Sequence, residues 1–152
     1  MRADQERIDG EKVYLAEYFH LLVKNKGWRF AIAASDGAFH SLDCWIASQS
    51  GARYHIHFNL VGFPAALPRA YVKQPKPLLD SSGVAMTSVS AKQHVLGADS
   101  EGCTQICHYG SSQWHAKISL VKIVLRCKLW LDAYEQHLQT GQNLETWLPH
   151  PH

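Results

Sequence analysis

Two cysteines and two histidines stand close together in a polar, glycine-containing stretch of the chain: Cys103, Cys107, His108 and His115. The spacing Cys-x3-Cys-His-x6-His offers four ligands of kinds that zinc accepts. Adjacent Cys107 and His108 would be awkward joint ligands, however, and structural zinc sites usually come as two separated pairs. A thiol can instead act as a nucleophile. Cysteine has a free pKa of about 8.5 and attacks acyl groups more readily than serine near neutral pH. His108 and His115 lie near enough in sequence to help deprotonate an incoming amine. Composition alone favours a third reading, in which Cys107 is a buried, inert thiol following Ile106. Cys103 reads as a loop cysteine without a role. Cys44, in an aromatic strand-like run, and Cys127, in a helix-like one, read as buried small hydrophobes.

The elements that must position these groups follow from periodicity. Residues 11–26 place Val13, Ala16, Tyr18, Phe19, Leu22 and Val23 at mixed three- and four-residue spacings, which predicts a helix stopped by Gly27. A strand is expected over 28–34, a turn at Ser35-Asp36-Gly37 and a second strand over 39–47. In "RYHIHFNLVGF", Tyr54, Ile56, Phe58 and Leu60 alternate with polar residues, the signature of a half-buried strand that leaves His55 and His57 on the surface. Pro64 and Pro68 force an extended connection to a fourth strand, "RAYVKQP", closed by Pro75 and Pro77. Residues 78–113 read mostly as loop, with a short strand-like piece near 85–89; a loop this long in a compact domain is usually functional. A long amphipathic helix follows, with Ile118, Val121, Leu125 and Leu129 near one face and Gly141 as its stop. The tail "QNLETWLPHPH" is too short and proline-rich for a further helix, and His150 and His152 read as solvent-exposed. The expected fold class is α+β: an N-terminal helix, a four-stranded antiparallel meander, an active-site loop and a long C-terminal helix.

Length and composition bound the function. A chain of 152 residues suits one domain, taken as residues 1–152. With 46% hydrophobic and 18% charged residues it is globular in composition. The net charge of +2 carries no basic stripe, so nucleic acid is not an expected partner. Apolar runs are broken by Lys or Arg well short of the roughly 20 residues a membrane span needs. The segment 1–10 lacks the apolar core of a signal peptide, so a cytoplasmic setting without structural disulfides is expected. No cofactor is expected.

Two segments, in order, resemble ubiquitin-conjugating enzymes. In "YHIHFNLVGFPAALPRAYVKQP", the residues Phe63-Pro64, Pro68 and Val72 are similar to that family's third and fourth strands and the connection between them. In "TQICHYGSSQWHAKISLVKIVLRCKLWL", Ile106-Cys107, Trp114 and the helix from about Ile118 resemble the active-site segment and the apolar helix after it. With the order helix, four strands, loop, helix, the resemblance covers nearly the whole chain and implies a ubiquitin-conjugating-enzyme-like fold. The ending "WLDAYEQHLQTG", then a Trp and a final His-Pro, is similar to the conjugating-enzyme-like proteins of bacterial anti-phage (CBASS) operons.

The resemblance implies that Cys107 carries a protein C-terminus as a thioester. It implies a cGAS-like nucleotidyltransferase as partner, an adenylating activating enzyme acting in trans, and a partner surface on the first helix, around 11–26. Trp114 itself reads as a packing anchor rather than a substrate contact. The family's His-Pro-Asn triplet, whose Asn stabilises the oxyanion, is absent from "HVLGADSEGCTQIC". His94-Val95 fits the His-hydrophobic pair of bacterial members, making His94 the candidate for that role and Asp99 a weaker one. The missing Asn keeps open an alternative, a catalytically silent scaffold that only binds its partner. A papain-like protease is disfavoured, because the cysteine precedes the long helix instead of opening it.

Overall fold

The computed structural model describes residues 5–35 and 39–148. The expected turn at Ser35-Asp36-Gly37 and the terminal His150 and His152 lie largely or wholly outside them. Helix α1 (Gln5–Lys26) opens the chain. Its buried residues, Ile8, Glu11, Leu15 and Phe19, step by three and four and make one stripe. The helix begins earlier than expected because a carboxylate, Glu11, occupies one position of that stripe and interrupts the apolar pattern. Val13, Tyr18 and Val23, counted as apolar signal in the sequence, are exposed instead. Gly27, at φ 71°, ends the helix as expected. Phe19 stacks on Trp28 and Phe30, at 5.3 and 5.0 Å between ring centres.

Strands β1 (Arg29–Ser35), β2 (Phe39–Ala47), β3 (Arg53–Asn59) and β4 (Arg69–Gln74) form the expected antiparallel meander. The sheet does not stop there. Two short strands from the supposed loop, β5 (Val95–Ala98) and β6 (Thr104–Ile106), extend it to six strands in the order β1-β2-β3-β4-β6-β5. All the pairings are antiparallel. The four-stranded expectation is thereby corrected: strands of four and three residues are too short to show a period-two pattern. The piece near 85–89 is not a strand and makes only an isolated bridge, Leu79 with Ala85.

Alternation along the strands buries one face of the sheet, with Leu42, Cys44, Ile46, Ile56, Phe58, Val72 and Ile106 in the core. Helix α2 (Leu120–Thr140) belongs to the same core through Ile123, Val124, Cys127, Trp130, Leu131 and Tyr134. The stripe expected through Leu125 and Leu129 is a correction: Leu125 is half-buried and Leu129 is exposed. Each four-residue step overshoots a turn by about 40°, so that series drifts off the buried face. Ser119 caps the start, its Oγ accepting from the Lys122 N–H, and Gly141 at φ 76° closes the end as expected. The opposite sheet face carries polar groups. His55 and His57 both contact Asp43 there, at 2.8 and 2.9 Å, half-buried rather than freely exposed. Among the described residues no helix is long and apolar enough to cross a membrane.

Candidate functional site

Strand β6 delivers Cys107 to the site. Ile106, the last residue of β6, pairs with Ala70 of β4 and Val95 of β5 and is fully buried, which anchors the strand end. Cys107 comes next, and its backbone N–H donates to the His94 carbonyl at 2.9 Å. The same carbonyl accepts from Trp130 Nε1 of α2 at 3.0 Å. One residue thus ties the cysteine to the second helix. His94 stands at φ 52°, a left-handed conformation that side-chain-bearing residues adopt infrequently. Its Nε2 lies 3.1 Å from the Leu148 carbonyl, an acceptor only, so that nitrogen carries the proton.

All four cysteines lie within the described residues. Cys44, Cys103 and Cys127 are buried, while Cys107 is half-exposed. The Cys107 thiol opens onto a cavity of about 540 Å³ between its own loop, α2 and the C-terminal segment. Partial burial raises its pKa above the usual thiol value. Its Sγ lies 4.0 Å from the Tyr109 carbonyl.

His108 is buried, edge-on to Phe58 and Tyr109 at 6.1 and 6.2 Å between ring centres. Burial lowers its pKa to about 4, so near neutral pH it is an uncharged imidazole and a weak base. His115 is exposed. Trp114 is the packing anchor expected of it: its Nε1 donates to the Pro64 carbonyl at 3.1 Å, and its ring meets Phe63 and Tyr109. Asp99 does turn work. Its Oδ1 accepts from the Glu101 and Cys103 N–H groups, both at 2.9 Å, and its Oδ2 takes Lys73 Nζ at 3.2 Å. Burial pushes its pKa up, but the Cys103 N–H and Lys73 outweigh that and hold it below the usual carboxylate value.

The zinc arrangement does not assemble. Among the described residues, the group of potential metal donors that converges is Asp99, Glu101 and Cys103, not Cys103 with Cys107, His108 and His115. The Lys73 ammonium, 3.2 and 3.4 Å from the two carboxylates, already supplies a cation there.

The structure therefore brings Cys107, His94 and His108 to one cavity and leaves His115 and Asp99 off its lining. It also adds residues that the sequence did not assign to a site: Gln49, Arg126, Leu129 and Trp147. Arg126 left little signal in "LVKIVLRCKLWL", where it stands between Lys122 and Lys128 as one of three basic residues on a mostly apolar helical run. Trp147 and Leu148 left none, because only folding brings the tail to Cys107. No family model, curated protein or solved structure matches this chain.

Proposed function

We propose that this protein is a ubiquitin-conjugating-enzyme-like acyl carrier of the bacterial anti-phage type, holding a protein C-terminus as a thioester on Cys107. The observation that carries this reading is the setting of the thiol. Cys107 is half-exposed and lines a cavity, whereas the other three cysteines are buried, and it sits at the end of a strand pinned to the sheet and to α2. A carrier must accept an acyl group and release it again. A rigid, half-exposed thiol that is not strongly acidic suits both steps.

In the first step the Cys107 thiolate attacks the carbonyl of a protein C-terminal acyl adenylate supplied by an activating enzyme in trans. A carbon–sulfur bond forms and AMP leaves. In the second, an amine attacks the thioester, the carbon–sulfur bond breaks as the amide forms, and the departing Cys107 thiolate takes up the proton that the amine gives up. In this reading the acceptor amine belongs to a cGAS-like nucleotidyltransferase. His94 orders the site through its carbonyl, while His108 lies beneath it as a neutral imidazole. Partner contact falls on α1, where Val13, Tyr14, Tyr18 and Leu21 are exposed on the helix surface.

The second reading is the silent scaffold. It is favoured by the raised thiol pKa and by the engagement of the Cys107 N–H with His94, which removes that N–H as an oxyanion donor. Co-expression with the nucleotidyltransferase and the activating enzyme, followed by a non-reducing gel, separates the two. A heavier band in wild type and Cys103→Ser that thiol reagents remove, absent or converted to a stable ester in Cys107→Ser, establishes the carrier. An intact complex with no adduct in any variant leaves the scaffold.

A further inference from the structure

The lining of the cavity at Cys107 holds no Asn of the kind the resemblance leads one to expect, and two donors flanking the cysteine are already committed. The Cys107 N–H is bonded to the His94 carbonyl, and His94 Nε2 is bonded to the Leu148 carbonyl. One strong donor on the cavity wall is not committed in this way. Arg126, on α2, lines the cavity together with Cys107 and is half-buried. Its guanidinium carbon lies 4.5 Å from the centre of the Tyr109 ring, a cation–π arrangement that fixes the side chain without occupying its N–H donors. Tyr109 is also the residue whose carbonyl lies next to the Cys107 sulfur, so one loop residue places both groups. Among the described residues no carboxylate pairs with Arg126. Asp132, the acidic residue on the same wall, is bound instead by Lys128 Nζ at 2.7 Å and by the Gln49 N–H at 3.0 Å.

From this geometry we infer that Arg126 forms an anion subsite of the Cys107 cavity, specific for a carboxylate or carbonyl-derived oxyanion at the end of an acyl chain. A guanidinium presents paired N–H donors in a planar fork that matches a carboxylate in two-point fashion. In the same cavity as a thiol, such a fork would hold the chain's terminal oxygens and then stabilise the negative oxygen that forms when sulfur adds to the carbonyl. The identity of the ligand as an acyl chain end rests on the carrier reading above; the existence of the subsite does not.

The test compares two alkylating reagents on the intact chain, with the modified residue located by mass spectrometry. Iodoacetate carries a carboxylate and iodoacetamide is its neutral counterpart. Each forms a carbon–sulfur bond at the thiolate and expels iodide. Both react with the same thiolate, so the ratio of their rates cancels the thiol's ionisation and reports local charge. The iodoacetate-to-iodoacetamide ratio at Cys107 should be roughly three- to tenfold higher in wild type than in Arg126→Gln, and the excess should shrink with added salt.

Arg126→Lys keeps the charge but loses the fork, and should fall between the two; it also serves if the Gln variant fails to fold. Equal ratios in wild type and a folded Arg126 variant overturn the proposal, as does a Cys107 that neither reagent modifies. A charge preference without any thioester adduct leaves the subsite standing and removes the carrier reading. An adduct without charge preference does the reverse.

Discussion

Replacing Glu11 should unseat the start of α2, although Glu11 belongs to the other helix. The carboxylate is 6% exposed, and its Oε1 accepts the Leu120 backbone N–H at 2.7 Å. Leu120 is fully buried at the first turn of α2, where backbone N–H groups have no partner within the helix. Oε2 accepts from Arg7 Nε at 3.0 Å, and Arg7 in turn donates to the carbonyls of Ala116 and Ile118, just ahead of the helix.

Glu11→Ala removes three contributions. Stranding a buried N–H costs about 1–3 kcal/mol. Losing a negative charge at a helix N-terminus costs about 0.3–1 kcal/mol. The ion pair with Arg7, whose side chain is 27% exposed, adds less than about 1 kcal/mol. The sum is about 2–4 kcal/mol, or a fall of roughly 5–15 °C in the unfolding midpoint for a chain of this size. Glu11→Gln keeps an oxygen for Leu120 and loses only the charge, so it should cost about 1 kcal/mol. Urea titration of wild type and both variants gives these differences directly. A Glu11→Ala protein within about 0.5 kcal/mol of wild type would refute the idea that this carboxylate caps α2.

Two further outcomes follow from the cavity. His108 has its pKa lowered to about 4 from 6.5, so between those values the unfolded chain binds more protons than the folded one. Stability should therefore fall on acidification from pH 6.5 toward pH 4, by about 3 kcal/mol in all. Denaturation at pH 7.5 and pH 4.5 should show a steeper loss in wild type than in His108→Leu, and parallel losses would rule this out. The C-terminal segment should govern access to the thiol. Leu144 is fully buried, its N–H donates to Gln93 Oε1, and the Glu145 N–H donates to the Lys92 carbonyl, seating Trp147 and Leu148 against the cavity. Leu144→Ala should cost about 2 kcal/mol or more and speed iodoacetamide capture of Cys107 by roughly threefold or more. An unchanged rate would mean that the tail does not restrict the thiol.

How far the sequence reaches is clearest at particular residues. Gly27 and Gly141 end their helices where expected, because a left-handed residue after a helical run is a local requirement that glycine alone meets cheaply. The four strands of the meander, with Tyr54, Ile56 and Phe58 turned inward, were equally legible, since each is long enough to alternate. Cys44 and Cys127 were read as core residues from their apolar neighbours, and both are fully buried.

What sequence could not decide depends on contacts between distant segments. Val95–Ala98 and Thr104–Ile106 are strands because β4 offers an open edge, and no property of three or four residues reveals that edge. The buried Glu11 interrupts an apolar stripe for the sake of an N–H 109 residues away. By composition and local pattern Cys107 and Cys103 look alike in the chain, and only the resemblance set them apart. The sheet buries one and turns the other toward a cavity whose remaining walls, Arg126 on α2 and Trp147 in the tail, lie 19 and 40 positions further on. Periodicity and turn chemistry act over a few residues and are written locally. A cavity exists only where separate segments meet, and tertiary packing alone decides which ones do.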